Sequence, residues 1–263
     1  MKLLTWNVNR AGESRGGVWE MVRDEDADIV LLQEVTGLPE WVPERYQCLS
    51  ITPRYFGDHH APFSSAILSK GMIDATPYLR SELAWVNRIQ AERYGWIVGC
   101  ETVLDGERFR VVTVHSPAFS IPQEELDGVD VSGVKLTNNS EVWFTEILWS
   151  LLSAAGVSDD TNWIVGGDFN SSVLFDEPKD RGNRQVIERL NNLGLTDCLS
   201  HFHGAPVPTF QHTRKTVHHQ LDYCYANGLM LERLTEARVP SHEAVFGREP
   251  RLSDHLPILC EFV

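Results

Sequence analysis

The chain has 263 residues, a hydrophobic fraction of 42% and a formal net charge of −14, enough for a substantial core in one large αβ domain or two smaller ones. The acidity, with a pI near 5.1, argues against indiscriminate coating of nucleic acid by Lys and Arg. The absence of a long apolar run or a basic-plus-apolar leader argues against a membrane span or a secretion signal. Five scattered cysteines, Cys48, Cys100, Cys198, Cys224 and Cys260, read as reduced packing thiols rather than a disulfide or metal framework, so cytoplasmic residence is expected.

Residues 2–8 form an apolar, strand-like run that delivers Asn7 as it ends. Val18, Met21 and Val22 then fall at helical spacing. Ile29-Val30-Leu31-Leu32 reads as a buried strand that stops at Gln33 and Glu34. Further β-like runs are expected at 46–51, 64–69, 84–90, 95–103 and 109–115, with Arg88 inside the third and His115 ending the last. The acidic stretch 117–133 reads as a mobile loop. Asn138 is a plausible N-cap with Glu141 three residues on, ahead of Phe144, Ile147, Leu148, Leu151, Leu152 and Ala155 at helical spacing. Trp143 and Trp149 read as helix-packing residues.

Trp163-Ile164-Val165 leads into Gly166-Gly167, where the backbone can approach a neighbour closely, and then into Asp168-Phe169-Asn170. Val186, Ile187 and Leu190 mark a helix that stops near Gly194. Thr209-Phe210 precedes a stretch, 211–219, rich in cationic or potentially cationic side chains: His212, Arg214, Lys215, His218 and His219. The segment 218–226 holds Asp222, and 252–260 places Asp254 and His255 just before a last strand.

Carboxylates and amides thus recur beside apolar strands. Phosphodiester hydrolysis needs a positioned water, a group to take its proton, and neutralisation of the phosphate and leaving oxygens. Mg²⁺ prefers oxygen ligands and keeps several waters, so Glu34 as principal ligand, Asn7 as neutral partner and Asp254 as a further ligand suffice. Asp168 and Asn170 share a tight turn. Asp222 is expected to hydrogen-bond His255, fixing its tautomer and raising its basicity.

In order along the chain, WNVN, QE, GGDFN, LDY and SDH resemble the motifs of the endonuclease/exonuclease/phosphatase superfamily, from Trp6-Asn7 to Ser253-Asp254-His255. The resemblance implies an α/β (α+β) fold: a four-layer αββα sandwich of two packed, mostly antiparallel sheets with flanking helices, as one domain over 1–263. It gives the metal ligands above the same jobs, has Asp168 activate water or bind a second ion, and has Asn170 hold the phosphate. His115 resembles the strand-end histidine of the deoxyribonuclease and sphingomyelinase branches, donating to a phosphate oxygen or protonating the leaving group, with its acidic partner open between Glu82 and Glu92. Arg88 matches a basic position of the family, Phe210 an aromatic that stacks on a base or sugar, and Arg214 and Lys215 are placed to grip flanking phosphates.

The paired tryptophans of abasic-site enzymes are missing at Thr209-Phe210, which argues against abasic-site repair. The resulting expectation is a monomeric, Mg²⁺-dependent phosphodiester hydrolase, with Mn²⁺ as a substitute, acting as a nuclease on DNA or RNA by in-line attack of water. A phosphodiesterase or phosphatase on a nucleotide, sugar phosphate or lipid headgroup is the alternative, and a catalytically idle binding scaffold the remote one.

Overall fold

The computed structural model describes all residues except 56–58, 77, 159 and 213–218. In chain order its strands are β1 (Lys2–Ala11), β2 (Ile29–Val35), β3 (Gln47–Ile51), β4 (Ser64–Ser69), β5 (Met72–Asp74), β6 (Ile97–Leu104), β7 (Glu107–His115), β8 (Asn162–Asp168), β9 (Leu195–Asp197), β10 (Asp222–Asn227), β11 (Leu234–Arg238) and β12 (Ile258–Phe262). Its helices are α1 (Gly16–Glu25), α2 (Trp41–Arg45), α3 (Ala84–Glu92), α4 (Phe144–Ala155), α5 (Asn183–Asn192), α6 (Cys198–His203), α7 (Gly228–Leu231) and α8 (His242–Val245).

The strands form two six-stranded sheets, ordered β11-β12-β1-β2-β4-β3 and β5-β6-β7-β8-β10-β9. Only β1–β2 and β7–β8 pair in parallel. Each parallel pair is central and flanked by antiparallel neighbours, so the two sheets repeat one plan. Period-two alternation builds the layers. Along β2, Ile29 and Leu31 enter the core between the sheets, while Val30 and Leu32 face the apolar side of α1. On β8, Ile164 faces between the sheets and Trp163 and Val165 meet α4 and α5. Each such buried side chain contributes about 1.5–3 kcal/mol, and the result is the four-layer sandwich. Among the described residues no helix is long and apolar enough to cross a membrane.

Gly167, at φ +141°, is required for this packing: a Cβ there would lie 1.9 Å from the Val114 carbonyl oxygen on β7. The bare backbone lets β8 deliver Asp168 directly beside His115, its register partner.

Several local expectations are corrected. Residues 84–90 are helix α3 rather than strand, because Val86, Ile89 and Gln90 together bury one helical face. Arg88 lies on its exposed side, bonded to Glu92 at 3.0 Å and to the Glu125 carbonyl at 2.5 Å. Helix α4 starts at Phe144, and its cap is Glu146, whose two oxygens accept the Trp143 and Leu136 amides at 2.8 Å each. Asn138 instead donates to Asp180. Strand β1 continues past Asn7 to Ala11 through a register shift, so Asn7 sits at an irregularity and not at a strand end. The stretch 117–133 is anchored by buried Ile121 and Leu126 and by the ion pair of Glu125 with Arg93. The cysteines are free, Cys48 is exposed, and Cys198, Cys224 and Cys260 gather their sulfurs within 4.8 Å of one another between the sheets.

Candidate active site

The site forms where the central strands of both sheets deliver polar residues to one end of the sandwich. From the first sheet come Asn7 on β1 and Glu34 on β2; from the second come His115 on β7, Asp168 on β8 and Asp222 on β10. Asp222 begins its strand rather than ending it, because β10 runs antiparallel to β8 and pairs it opposite Asp168. The turn before β12 adds Asp254 and His255. Gln33, beside Glu34, is fully buried and donates to Thr113 on β7 at 2.9 Å, a strut between the sheets.

The best-ordered unit is the Asp222–His255 pair. His255 Nδ1 lies 2.8 Å from Asp222 Oδ2, and its Nε2 lies 3.8 Å from Asp168 Oδ2. Burial alone would lower the imidazole, yet Asp222 and Asp168 outweigh it and lift its pKa to about 10. Thr209, fully buried, fixes the pair from behind: its hydroxyl donates to Asp222 Oδ2 at 2.7 Å and accepts the Leu221 and Asp222 amides at 3.1 Å each. The His255 carbonyl accepts the Trp6 indole N–H at 2.8 Å, and its amide donates to Ser253 Oγ, which itself donates to the Asn7 carbonyl. The two ends of the chain are locked together at the site.

Asp168 is buried and surrounded by donors. Its Oδ1 accepts the Asn170 amide at 2.9 Å, and its Oδ2 accepts the side-chain amides of Asn7 and Asn170 at 3.0 and 3.2 Å. Burial still raises its pKa to about 7, against the pull of His255. Asn170 adopts φ +47° and donates to the Ser116 carbonyl at 2.8 Å. A non-glycine left-handed residue in this position is a local strain that the surrounding bonds sustain.

The Glu34 side is looser. Glu34 also has a positive φ, +59°, and its contacts are long: Asn7 Nδ2 at 3.4 Å, His115 Nε2 at 3.6 Å and Arg10 Nε at 3.7 Å. Burial raises its pKa, and the nearby Asp254 raises it further. His115 is buried between the rings of Trp96 and Phe63, with centroids 5.1 and 5.2 Å away, and its Nδ1 has no partner among the described residues. Burial, together with the charge of His255, pushes its pKa down to about 3, so it is neutral at physiological pH. The carboxylate nearest His115 is therefore Glu34, not Glu82 or Glu92; Glu92 is paired with Arg88.

The structure brings together Asn7, Glu34, His115, Asp168, Asn170, Asp222, Asp254 and His255. Phe210 packs its ring 4.8 Å from the His255 ring. Arg88 is held away by Glu92 and Glu125, and Arg214 and Lys215 lie outside the described residues. Thr209 and Ser253 stand in motifs of the sequence but had no role assigned to them, and Arg10, Phe63 and Trp96 carried no signal there.

The donor chemistry suits a hard divalent cation. Glu34, Asp254 and Asp168 gather negative charge beside the cations His255, Arg251 and the exposed Arg10, and Glu34 and Asp254 offer oxygen only. Asn7 presents its amide nitrogen to Glu34 and Asp168, while its oxygen accepts the Asn9 amide at 3.0 Å, so here it acts as a tie between the carboxylates.

Comparison with known proteins agrees with this fold. The model of the Endonuclease/Exonuclease/phosphatase family matches residues 4–255. Among solved structures, an AP endonuclease from Archaeoglobus fulgidus superposes with a TM-score of 0.69 at 18% identity, covering 100% of this chain and 99% of its own. A single-residue variant of the 3' phosphatase NExo from Neisseria, bound to product DNA hairpin, gives 0.65 at 19% identity, covering 100% and 99%. The Xenopus laevis APE2 catalytic domain gives 0.67 at 17% identity, covering 100% and 91%. A sequence search of curated proteins finds no match. With its fold, its motif order and a family model spanning nearly its whole length, the chain belongs to the endonuclease/exonuclease/phosphatase family.

Proposed function

We propose that this phosphoester-hydrolysing enzyme is a Mg²⁺-dependent phosphodiesterase that cleaves nucleic acid, with Mn²⁺ able to substitute, and that its 263 residues act as one domain. The observation that carries the reading is the facing of two units across one site: the hydrogen-bonded Asp222–His255 pair, whose Nε2 faces Asp168 at 3.8 Å, and the loosely held Glu34 with Asp254 near it. The Neisseria neighbour, described as a 3' phosphatase with a product DNA hairpin, supports a nucleic-acid substrate.

Glu34 and Asp254 would hold the ion, with Asp168 at its margin; bound there, it supplies positive charge to the non-bridging and leaving oxygens. His255, kept cationic by Asp222, offers its Nε2–H to a phosphate oxygen. Asp168, with its raised proton affinity, takes the proton of the attacking water, and Asn170 orients the phosphate. Neutral His115, its Nε2 3.6 Å from Glu34, would donate to the phosphate or the leaving oxygen.

The test is hydrolysis of single- and double-stranded DNA, RNA and bis-p-nitrophenyl phosphate with Mg²⁺, Mn²⁺ or EDTA, alongside Glu34→Gln and His255→Ala. Metal-dependent polymer cleavage that both variants lose is the expected result. Cleavage of the small ester alone would replace the nuclease reading with a small-molecule phosphodiesterase, and no turnover of any substrate would overturn both.

A further inference from the structure

A cavity of about 560 Å³ opens beside the site, reached past Ser116 and Asn170. It lies between the segment that follows β7 and the one that follows β8. Phe169, Leu136 and Val186 form its apolar floor. Its two walls are tied to each other: Asn138 donates to Asp180 at 2.6 Å, and the Thr137 amide to Gln185 at 2.9 Å. The cavity is thus formed before any ligand arrives, and its size falls in the ~300–1,000 Å³ range of small-molecule sites.

Its lining has the parts that a nucleotide needs. Lys179 and Arg181 make no ion pair with a carboxylate among the described residues, on a chain that carries a net charge of −14. Two carboxylates share the lining: Asp180 is held by Asn138 and the Gly182 amide, and Glu141 makes no ion pair among the described residues. Phe175 is partly exposed, with its ring packed 4.4 Å from the His219 ring. Trp143 also lines the cavity, and its indole N–H is buried without an acceptor among the described residues. Asn170, at the cavity mouth, belongs to both the cavity and the catalytic centre.

We propose that this cavity seats one unstacked nucleotide adjoining the scissile phosphate. Lys179 and Arg181 bind the neighbouring phosphate, the ring of Phe175 stacks with the base, and the Trp143 N–H meets a base or sugar oxygen. A base enclosed by these walls cannot keep its pairing partner. The enzyme therefore works on single strands, frayed ends or extruded nucleotides rather than on intact duplex. This rests on the hydrolase reading for its role in turnover, though not for the binding itself.

The experiment measures binding of thymidine 5′-monophosphate in EDTA, by calorimetry, to wild type, Lys179→Glu/Arg181→Glu, Trp143→Phe and the control Arg23→Glu/Arg108→Glu, which removes two exposed cations elsewhere. Binding weakened at least tenfold in the first variant and severalfold in Trp143→Phe, with the control matching wild type, is the expected result. No saturable binding by wild type, or equal loss in the control, would overturn the proposal. In turnover, wild type should prefer a single-stranded oligonucleotide over its duplex by at least tenfold in kcat/KM, and equal rates would also overturn it. Failure of the hydrolase reading is separate: the mononucleotide would bind while bis-p-nitrophenyl phosphate went uncleaved.

Discussion

The two halves of the site are built from the same kinds of side chain and held in opposite ways. Around His255 the hydrogen bonds are short: Asp222, backed by Thr209, holds the imidazole at Nδ1, and Trp6 and Ser253 hold the backbone, while Nε2 faces Asp168 at 3.8 Å. Around Glu34 the contacts lie at 3.4–3.7 Å, and the acid Asp254 opposes the pull of His255 and Arg10 on its charge. A charge with satisfied partners is finished in the folded protein. A buried carboxylate facing another carboxylate is stable only when a cation joins them.

This contrast can be broken most severely from the Glu34 side. EDTA, or Glu34→Gln in Mg²⁺, should reduce phosphodiester hydrolysis by about a thousandfold or more, the scale of removing a group that stabilises transition-state charge. The metal-free stability should move the other way. Because burial and Asp254 raise the pKa of Glu34, the neutral amide relieves repulsion, and Glu34→Gln should unfold in EDTA at the same temperature as wild type or higher. Adding Mg²⁺ should raise the melting temperature of wild type and leave the variant unmoved; a variant that Mg²⁺ still stabilised equally would remove Glu34 from the ion site.

On the other side, function and stability should fall together. His255→Ala leaves Asp222 and Asp168 buried without their cation, and breaking a buried pair in this way costs about 3–5 kcal/mol. Denaturant unfolding in EDTA measures it directly. A loss below about 1 kcal/mol would mean that the pair is solvated and the contrast between the halves false.

How much of this could be read along the chain follows from where each contact originates. Glu34, Asp168 and His255 stand beside apolar runs, so local pattern exposes them. Thr209 became a determinant only when its loop folded back on Asp222, and Phe63 and Trp96 only when β4 and β6 bracketed His115. The pairing of His115 with Glu34 joins residues of different sheets, which no periodicity reveals. Arg88 was misplaced for a local reason: Ala84-Trp85-Val86 suits strand or helix, and the burial of Ile89 and Gln90 against the second sheet and α4 settled it as helix. Asn138 and Glu141 have the spacing of a capping box, yet Glu146 reaches two orphan amides at once and wins.

The halves should also separate with pH in metal-free protein. His255 has a folded pKa near 10, above its ordinary value near 6.5, so its contribution is fully present below about 6.5 and is lost as pH rises through 10. Asp168 is also raised, with the same sign: its contribution is fully present only below its ordinary value near 3.8 and is lost as pH rises through about 7. His115 is depressed to about 3, so its contribution is present above about 6.5 and is lost as pH falls toward 3. Between about pH 4 and 6.5 the opposite slopes of Asp168 and His115 cancel, so the melting temperature in EDTA should run level there and fall above about 6.5 and below about 4. Asp222→Asn should flatten the alkaline limb, and His115→Phe, which keeps a ring between Trp96 and Phe63, the acid limb. An alkaline limb unchanged in Asp222→Asn would show that another group sets it.

The smallest and most specific effect belongs to Thr209. Thr209→Val keeps the shape of the side chain and deletes its hydroxyl, leaving Asp222 Oδ2 with His255 alone and stranding the Leu221 and Asp222 amides. Unsatisfied buried groups of this kind cost about 1–3 kcal/mol. Because the hydroxyl touches Asp222 and not the phosphate, the loss should fall on kcat, by roughly tenfold, with KM little changed, as expected when the imidazole is less firmly oriented. Thr209→Ser restores the hydroxyl and should recover most of that kcat. If Val and Ser behaved alike, the methyl group rather than the hydrogen bond would be the determinant, and the rigidity of the His255 side would have to come from Trp6 and Ser253 instead.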